Sequence, residues 1–324
     1  MSWQTNLSWE LAKQRSVFFQ QIRNFFEKNG VIEVETPILS QGTVTDVHLD
    51  AFKSRYHFLQ GSEISDDHLY LQTSPEFAMK RLLASGYGSI YQICKAFRHE
   101  EAGRFHNPEF TMLEWYRIGY DHHQLMNEVS ALLTEILGCE AAEKMSYQQA
   151  FEQILALDPL DVTAEQLKSC LSSEGIEGDW ISSEQDVDVL LQVLFSECIE
   201  HRIGLEKPCL IYDYPSSQSA LAKISQSDPR VADRFECYYK GVELANGFNE
   251  LTDATEQLQR FERDNQQRIA LGKKVQPIDN RFIEALTYGL PQCAGVALGI
   301  DRLFMLCSGA DHIAKTMTFT VNNA

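Results

Sequence analysis

Hydrophobic positions along the chain change their period several times, and each change marks a predicted element. From about Trp9 to Asn29, Leu11, Phe18, Ile22, Phe25 and Phe26 recur at helical spacing. Ser8 stands where an N-cap belongs and Gly30 where a helix ends. The apolar run Val31–Leu39 then predicts an extended segment, which Pro37 confines to an edge or a strand end. Between Ser89 and Tyr120 the period falls to two. Tyr91, Ile93 and Phe97 alternate with Gln92, Cys94, Ala96 and Arg98, and Pro108–Arg117 resumes the pattern after the polar stretch His99–Asn107. Two antiparallel strands joined by a long loop follow from this, and loops of that length are often functional.

Residues 121–205 predict mainly helix. Leu125, Val129, Leu132, Leu133 and Ile136 form one stripe; Val189, Leu190, Val193, Leu194 and Cys198 form another. Ser172–Asp179 reads as an acidic surface loop rich in Gly and Ser. Extended segments return at Cys209–Tyr214 and Arg234–Ala245. A helix is predicted from Asp253 to about Leu271, and a small-residue strand from Ala294 runs into a helix ending near Leu306. There is no repeat, low-complexity tract or interdomain linker. The reading is one α+β domain over residues 1–324, an antiparallel sheet with helices around it.

Composition narrows the partners. With 44% hydrophobic and 23% charged residues over 324 positions, the chain can build a sizeable core and is not a disordered protein. No apolar run approaches the roughly 20 residues a bilayer needs, and the N-terminus has no secretion signal. The net charge of −18 argues against a whole-surface nucleic-acid binder, though a local basic groove stays open. Eight cysteines occur without a C-x-x-C pair, which argues against a structural zinc or a disulfide framework and for thiols in a reducing cytoplasm. His122 and His123 have no spaced partner and read as surface histidines.

Two hairpins carry candidate chemistry. In the first, Phe110, Met112, Glu114 and Tyr116 share one strand face, opposite Glu109, Thr111, Leu113 and Trp115. A buried carboxylate needs a cation, because leaving it unpaired costs several kcal/mol by order of magnitude. Two readings stand: an internal salt bridge such as Arg98 to Glu114, or a ligand's cation. In the second hairpin, a Lys240-Gly241 turn pairs Tyr239 with Val242, Tyr238 with Glu243 and Glu236 with Ala245. Glu236 and Glu243 are then diagonal neighbours on one face, either solvated or bridged by Mg²⁺ with phosphate oxygens. Glu76, in Thr73-Ser-Pro-Glu, and Glu250 add further carboxylates at turns beside strands. No phosphate-cradling Gly-rich loop occurs. A nucleotide would therefore need arginines and a sheet surface, with Arg98, Arg302 and Phe110 as candidates.

These pieces resemble the catalytic domain of class II aminoacyl-tRNA synthetases of the lysyl type. The segment Phe26–Pro37 resembles the dimer-contact motif. Phe97-Arg-His-Glu100 with His106–Tyr116 resembles the second motif, and Gly299-Ile-Asp-Arg302 the third. Glu243-Leu-Ala-Asn-Gly-Phe-Asn-Glu250 between them is similar to the lysyl signature. The resemblance implies ATP held by Arg98, His99, Glu100, His106, Asn107, Phe110, Glu243, Leu244, Gly299 and Arg302. Arg98 would grip the α-phosphate, and Phe110 and Arg302 would sandwich adenine. It implies Mg²⁺ on Glu236 and Glu243. It implies an amino acid on Ser74, Pro75, Glu76, Asn246 and Ala297, with Glu114, Tyr116 and Glu250 receiving its distal ammonium.

Two departures bear on function. Only about eight residues precede the first helix, so the reading includes no anticodon recognition. Ala297 stands where lysyl synthetases usually carry Gly, a methyl that either alters which lysine isomer fits or is neutral. The truncated, acidic pattern resembles a branch of synthetase paralogues. That resemblance implies ATP-dependent activation of (R)-β-lysine and its transfer to a lysine of translation elongation factor P, by a homodimer in the cytoplasm. The alternatives are a minimal enzyme that charges tRNA and a catalytically dead paralogue; the latter predicts gaps among the ATP residues, and none is seen.

Overall fold

A computed structural model describes residues 3–56, 68–99 and 102–324. Helix α1 (Trp9–Lys28) is followed by strands β1 (Ile32–Glu33), β2 (Leu39–Ser40), β3 (Lys53–Arg55) and β4 (His68–Leu71). Helix α2 (Glu76–Ala84) precedes β5 (Ile90–Phe97) and β6 (Glu109–Ile118). Next come α3 (His122–Leu137), β7 (Glu143–Ser146), α4 (Tyr147–Leu155), α5 (Ala164–Ser173), α6 (Asp179–Ser183) and α7 (Val187–Leu194). Strands β8 (Cys209–Pro215), β9 (Val231–Tyr239) and β10 (Val242–Asn249) lead to α8 (Ala254–Ala270) and α9 (Asn280–Gly289). Strand β11 (Cys293–Gly299) runs directly into α10 (Ile300–Ser308). The fold is α+β with mostly antiparallel strand pairs, as the sequence predicts. Two compact units divide the chain: Met1–Gly119 with Leu251–Cys293 and Ala297–Ala324, and Tyr120–Glu250 with Ala294–Val296.

In the first unit, Ser8 caps α1 by accepting from the Leu11 amide, and Gly30 follows the helix with φ 67°. Phe18, Ile22, Phe25 and Phe26 are the buried face, each contributing about 1.5–3 kcal/mol by leaving water. The segment Val31–Leu39 is not one strand: Pro37 separates two short strands, of which β1 runs parallel to β5. Strands β5 and β6 pair antiparallel with Ile90 opposite Tyr116 and Gln92 opposite Glu114. The alternation therefore reads the correct phase. Helices α2 and α9 pack through Phe77 and Phe282, stacked at 4.5 Å, and β2, β4 and β3 form a separate small sheet.

The second unit has its own core. Phe151, Leu167, Leu171, Leu190, Leu194 and Ile211 are buried together where α4, α5, α7 and β8 meet. Capping boxes start α3, α4 and α5. Strand β7 interrupts the predicted helical stretch and runs parallel to β8. The β9–β10 turn takes left-handed backbone at both Lys240 (φ 51°) and Gly241 (φ 71°), which matches the twist of a two-residue hairpin. Among the described residues no helix is long and apolar enough to cross a membrane.

Candidate active site

The face of β6 that looks unlike a core is built around Glu114. Its carboxylate is 2% exposed and accepts two hydroxyl hydrogen bonds of 2.6 Å, from Ser74 Oγ and from the Tyr116 phenol. Burial, with the nearby Glu76 charge, pushes its pKa up to about 7. Arg98 does not pair with it. The Arg98 guanidinium lies 5.2 Å from the Phe110 ring centroid, and its Nε donates to the Thr73 carbonyl at 3.4 Å. The Arg98–Glu114 pair is thus absent; the internal cation that acts on Glu114 is the buried Lys80. The Thr73-Ser-Pro-Glu stretch is the entry to α2, with Pro75 at the N-cap position and the Glu76 amide donating to Ser74 Oγ. Glu76 itself brings a cation: Lys80, fully buried one helical turn on, meets it at 2.6 Å.

Of the expected nucleotide residues of the first unit, Arg302 and His106 are linked directly. Arg302, two residues into α10, donates to the Phe105 carbonyl and lies 2.7 Å from His106 Nε2. Gly299, at the N-cap of α10, has φ −75°, and a Cβ there would meet only the Arg302 side chain, at 3.5 Å or more. Neither backbone nor packing demands glycine at that position, which fits the close approach of a ligand. Asn107 is buried, but its amide is committed to backbone: Nδ2 donates to Glu109 O and Oδ1 accepts from Val321 N. His99 is exposed and its ring lies 5.2 Å from Phe52. Glu100 lies outside the described residues. Ala297 is half-buried on β11.

In the second unit, Glu243 pairs with Tyr238 as expected, but Glu236 faces Asn246, not Ala245. A bulge at Leu244 adds the extra residue, yet leaves Glu236 and Glu243 on one face. Glu236 is already compensated. Arg234 and the Tyr238 phenol donate to it, and Tyr214 does so at 2.6 Å. Burial and the Glu236 charge push both phenols well above the ordinary range, so they stay protonated donors. Three of about four lone-pair positions on that carboxylate are thereby used. The arrangement suits an ion pair better than a seat for a divalent cation. Asn246 accepts from Arg234 Nε at 3.3 Å, Leu244 is buried, and Glu250 is 1% exposed at the end of β10.

Sequence reasoning missed the supports. Lys80 was detectable, because Glu76 and Lys80 stand at the i, i+4 spacing of helical ion pairs. Arg234 shares the face of Glu236 by period two. Asp301 is 2% exposed, accepts from the Thr111 amide and ion-pairs with Arg15, both at 2.6 Å, so it ties α10 to β6 and α1. Its place within the third motif gave no sign of this.

A profile of the family described as tRNA synthetases class II (D, K and N) matches residues 2–323. The elongation factor P–(R)-β-lysine ligase of Photobacterium profundum is 55% identical over 322 residues, 99% of each chain. The protein of the same name from Salmonella arizonae is 52% identical over 323 residues, covering 100% of this chain and 98% of the relative. That from Vibrio vulnificus is 55% identical over 317 residues, covering 98% and 97%.

Proposed function

The chain belongs to the class II tRNA synthetase family (D, K and N), and from that premise we propose that it activates (R)-β-lysine with ATP and transfers the β-lysyl group to a lysine ε-amine of elongation factor P. The observation that carries the substrate class is Glu114. Glu114 is buried to 2%, its hydrogen bonds come from neutral hydroxyls, and the buried ammonium acting on it, Lys80, is shared with Glu76; two carboxylates against one cation leave a negative charge that the distal ammonium of a lysine-like molecule offsets. The full-length likeness to β-lysine ligases supports the choice of isomer and acceptor.

Each residue then has a physical task. Glu114, oriented by Ser74 and Tyr116, receives the ammonium as an ionised carboxylate. Arg98 neutralises the α-phosphate while the substrate carboxylate oxygen attacks phosphorus. The new acyl–O–P bond forms as the α–β phosphoanhydride bond breaks, and pyrophosphate leaves. Phe110 and Arg302 of the first unit hold the base; on β10 of the second unit the family likeness assigns Glu243 and Leu244 to the nucleotide and Asn246 and Glu250 to the amino acid. In the second step the acceptor amine attacks the acyl carbon, an amide forms, AMP leaves with the bond pair, and the amine gives up its proton. Magnesium is typical of the family, but no step is assigned to it at Glu236, whose carboxylate is committed to Arg234. A homodimer and a cytoplasmic setting belong to the proposal. The exposed Ile32 of the first motif, with Ile38 and Leu39 just after it, supports the one, and eight free thiols the other.

The test is pyrophosphate exchange with (R)-β-lysine and with lysine, followed by label transfer to elongation factor P and to tRNA. Exchange with β-lysine and label on the protein are expected. Label on tRNA would select the minimal synthetase, and no exchange with either isomer would select an inactive paralogue.

A further inference from the structure

His122 is not a surface histidine. It opens α3 at 5% exposure, and neither ring nitrogen makes a hydrogen bond. Nε2 stands 3.7 Å from Oδ1 of Asp213 on β8, and Nδ1 stands 3.9 Å from Oδ2 of Asp233 on β9. Both separations exceed hydrogen-bond reach, an uncommon state for a buried imidazole. One nitrogen and one oxygen from each aspartate lie within 4.8 Å of one another. Asp213 sits at the bulge between Tyr212 and Tyr214 with φ 58°, a left-handed backbone unusual outside glycine. Asp233 is oriented by Asn249, whose Nδ2 donates to Oδ2 at 2.8 Å, in the manner of a support behind a ligating carboxylate.

We infer that His122, Asp213 and Asp233 form a binding site for one divalent transition-metal ion of the Zn²⁺ type, separate from the residues assigned to β-lysine transfer. A neutral imidazole with two carboxylates carries charge −2, which such an ion cancels. The imidazole nitrogen favours Zn²⁺ over Mg²⁺ or Ca²⁺. The ion satisfies one of the two unbonded imidazole nitrogens and clips the start of α3 to two strands of the second unit's sheet.

The experiment uses the untagged full chain, stripped of metal, with Co²⁺ as the spectroscopic probe and Zn²⁺ as competitor. One equivalent of Co²⁺ should bind with d–d bands, without thiolate charge-transfer bands, and Zn²⁺ should displace it. One equivalent of Zn²⁺ should also raise Tm. Asp213→Asn and Asp233→Asn should each weaken binding at least about tenfold. Asn tolerates the left-handed backbone at position 213, so that variant keeps its fold. The assignment is overturned by no uptake, by equal uptake in wild type and both variants, by thiolate bands, or by a doubly protonated His122 imidazole in the Zn²⁺-treated wild type.

Discussion

Tyr116 donates its phenol to Glu114 across 2.6 Å, from two residues along the same face of β6. The hydroxyl aims the carboxylate but brings no positive charge to it. Glu114→Gln should therefore remove the electrostatic half of substrate binding while leaving a side chain of similar size. The expected result is a fall of about 100-fold or more in kcat/KM for the lysine-like substrate, the scale of a lost buried charge pair, with KM for ATP little changed. Pyrophosphate exchange measures both. A fall under about tenfold would take the ammonium away from Glu114.

The same group predicts a pH dependence of stability. Burial first, then Glu76, raise its folded pKa from 4.5 to about 7. The native state thus holds a proton that the unfolded chain has lost over that interval. Its favourable contribution is full below about pH 4.5 and is lost as the pH rises through about 7. In the ligand-free protein, Glu114→Gln should flatten this part of a Tm-against-pH curve. Parallel curves for wild type and variant would contradict it. A lysine-like ligand should bind more tightly as pH rises toward 7, because the ionised carboxylate receives the ammonium.

Phe110→Ala should act on the nucleotide. The ring already stacks against the Arg98 guanidinium at 5.2 Å, and base stacking on an aromatic side chain is worth about 1–3 kcal/mol. KM for ATP should rise about tenfold or more with the amino-acid KM nearly constant. Exchange kinetics with each substrate varied in turn separate the two.

Gly247→Ala should destabilise the second unit. A Cβ at this position would overlap Cζ of Phe235, its cross-strand partner, and stand 2.9 Å from Cβ of Val296. Overpacking of that kind costs typically about 1–3 kcal/mol. Chemical denaturation should show a lower midpoint with an unchanged slope.

Much of this was legible wherever one physical rule dominated. Period two fixed the β5–β6 faces because side chains of a strand alternate whatever they are buried against, and both faces of β6 are buried from Thr111 to Tyr116. The α1 boundaries followed from Ser8 and Gly30, whose cap roles are local. What escaped was non-local. The bulge at Leu244 moves Glu236 from Ala245 to Asn246, and no residue type in the strand announces it. Burial of His122 depends on β8 and β9, about 90 and 110 positions along the chain, which a scan for short spacings does not reach. Short elements such as β1 and β2 owe their existence to partners, not to their own pattern. The candidate residues themselves came from motif likeness, whereas the cations at Glu76 and Glu236 came only from coordinates.

Strand β6 has a last consequence. Even-numbered positions carry Phe110, Glu114 and Tyr116, while Leu113 and Trp115 on the reverse side have no exposure and Thr111 is anchored by Asp301. A saturation library across 110–116, sorted once for abundance and once for turnover, should separate the positions: 111, 113 and 115, with the buried Met112, deplete the first sort, and 110 and 114 the second. Drift in this heptapeptide is then checked by two unrelated kinds of failure, so tolerance to change here cannot be gained by a more stable scaffold alone.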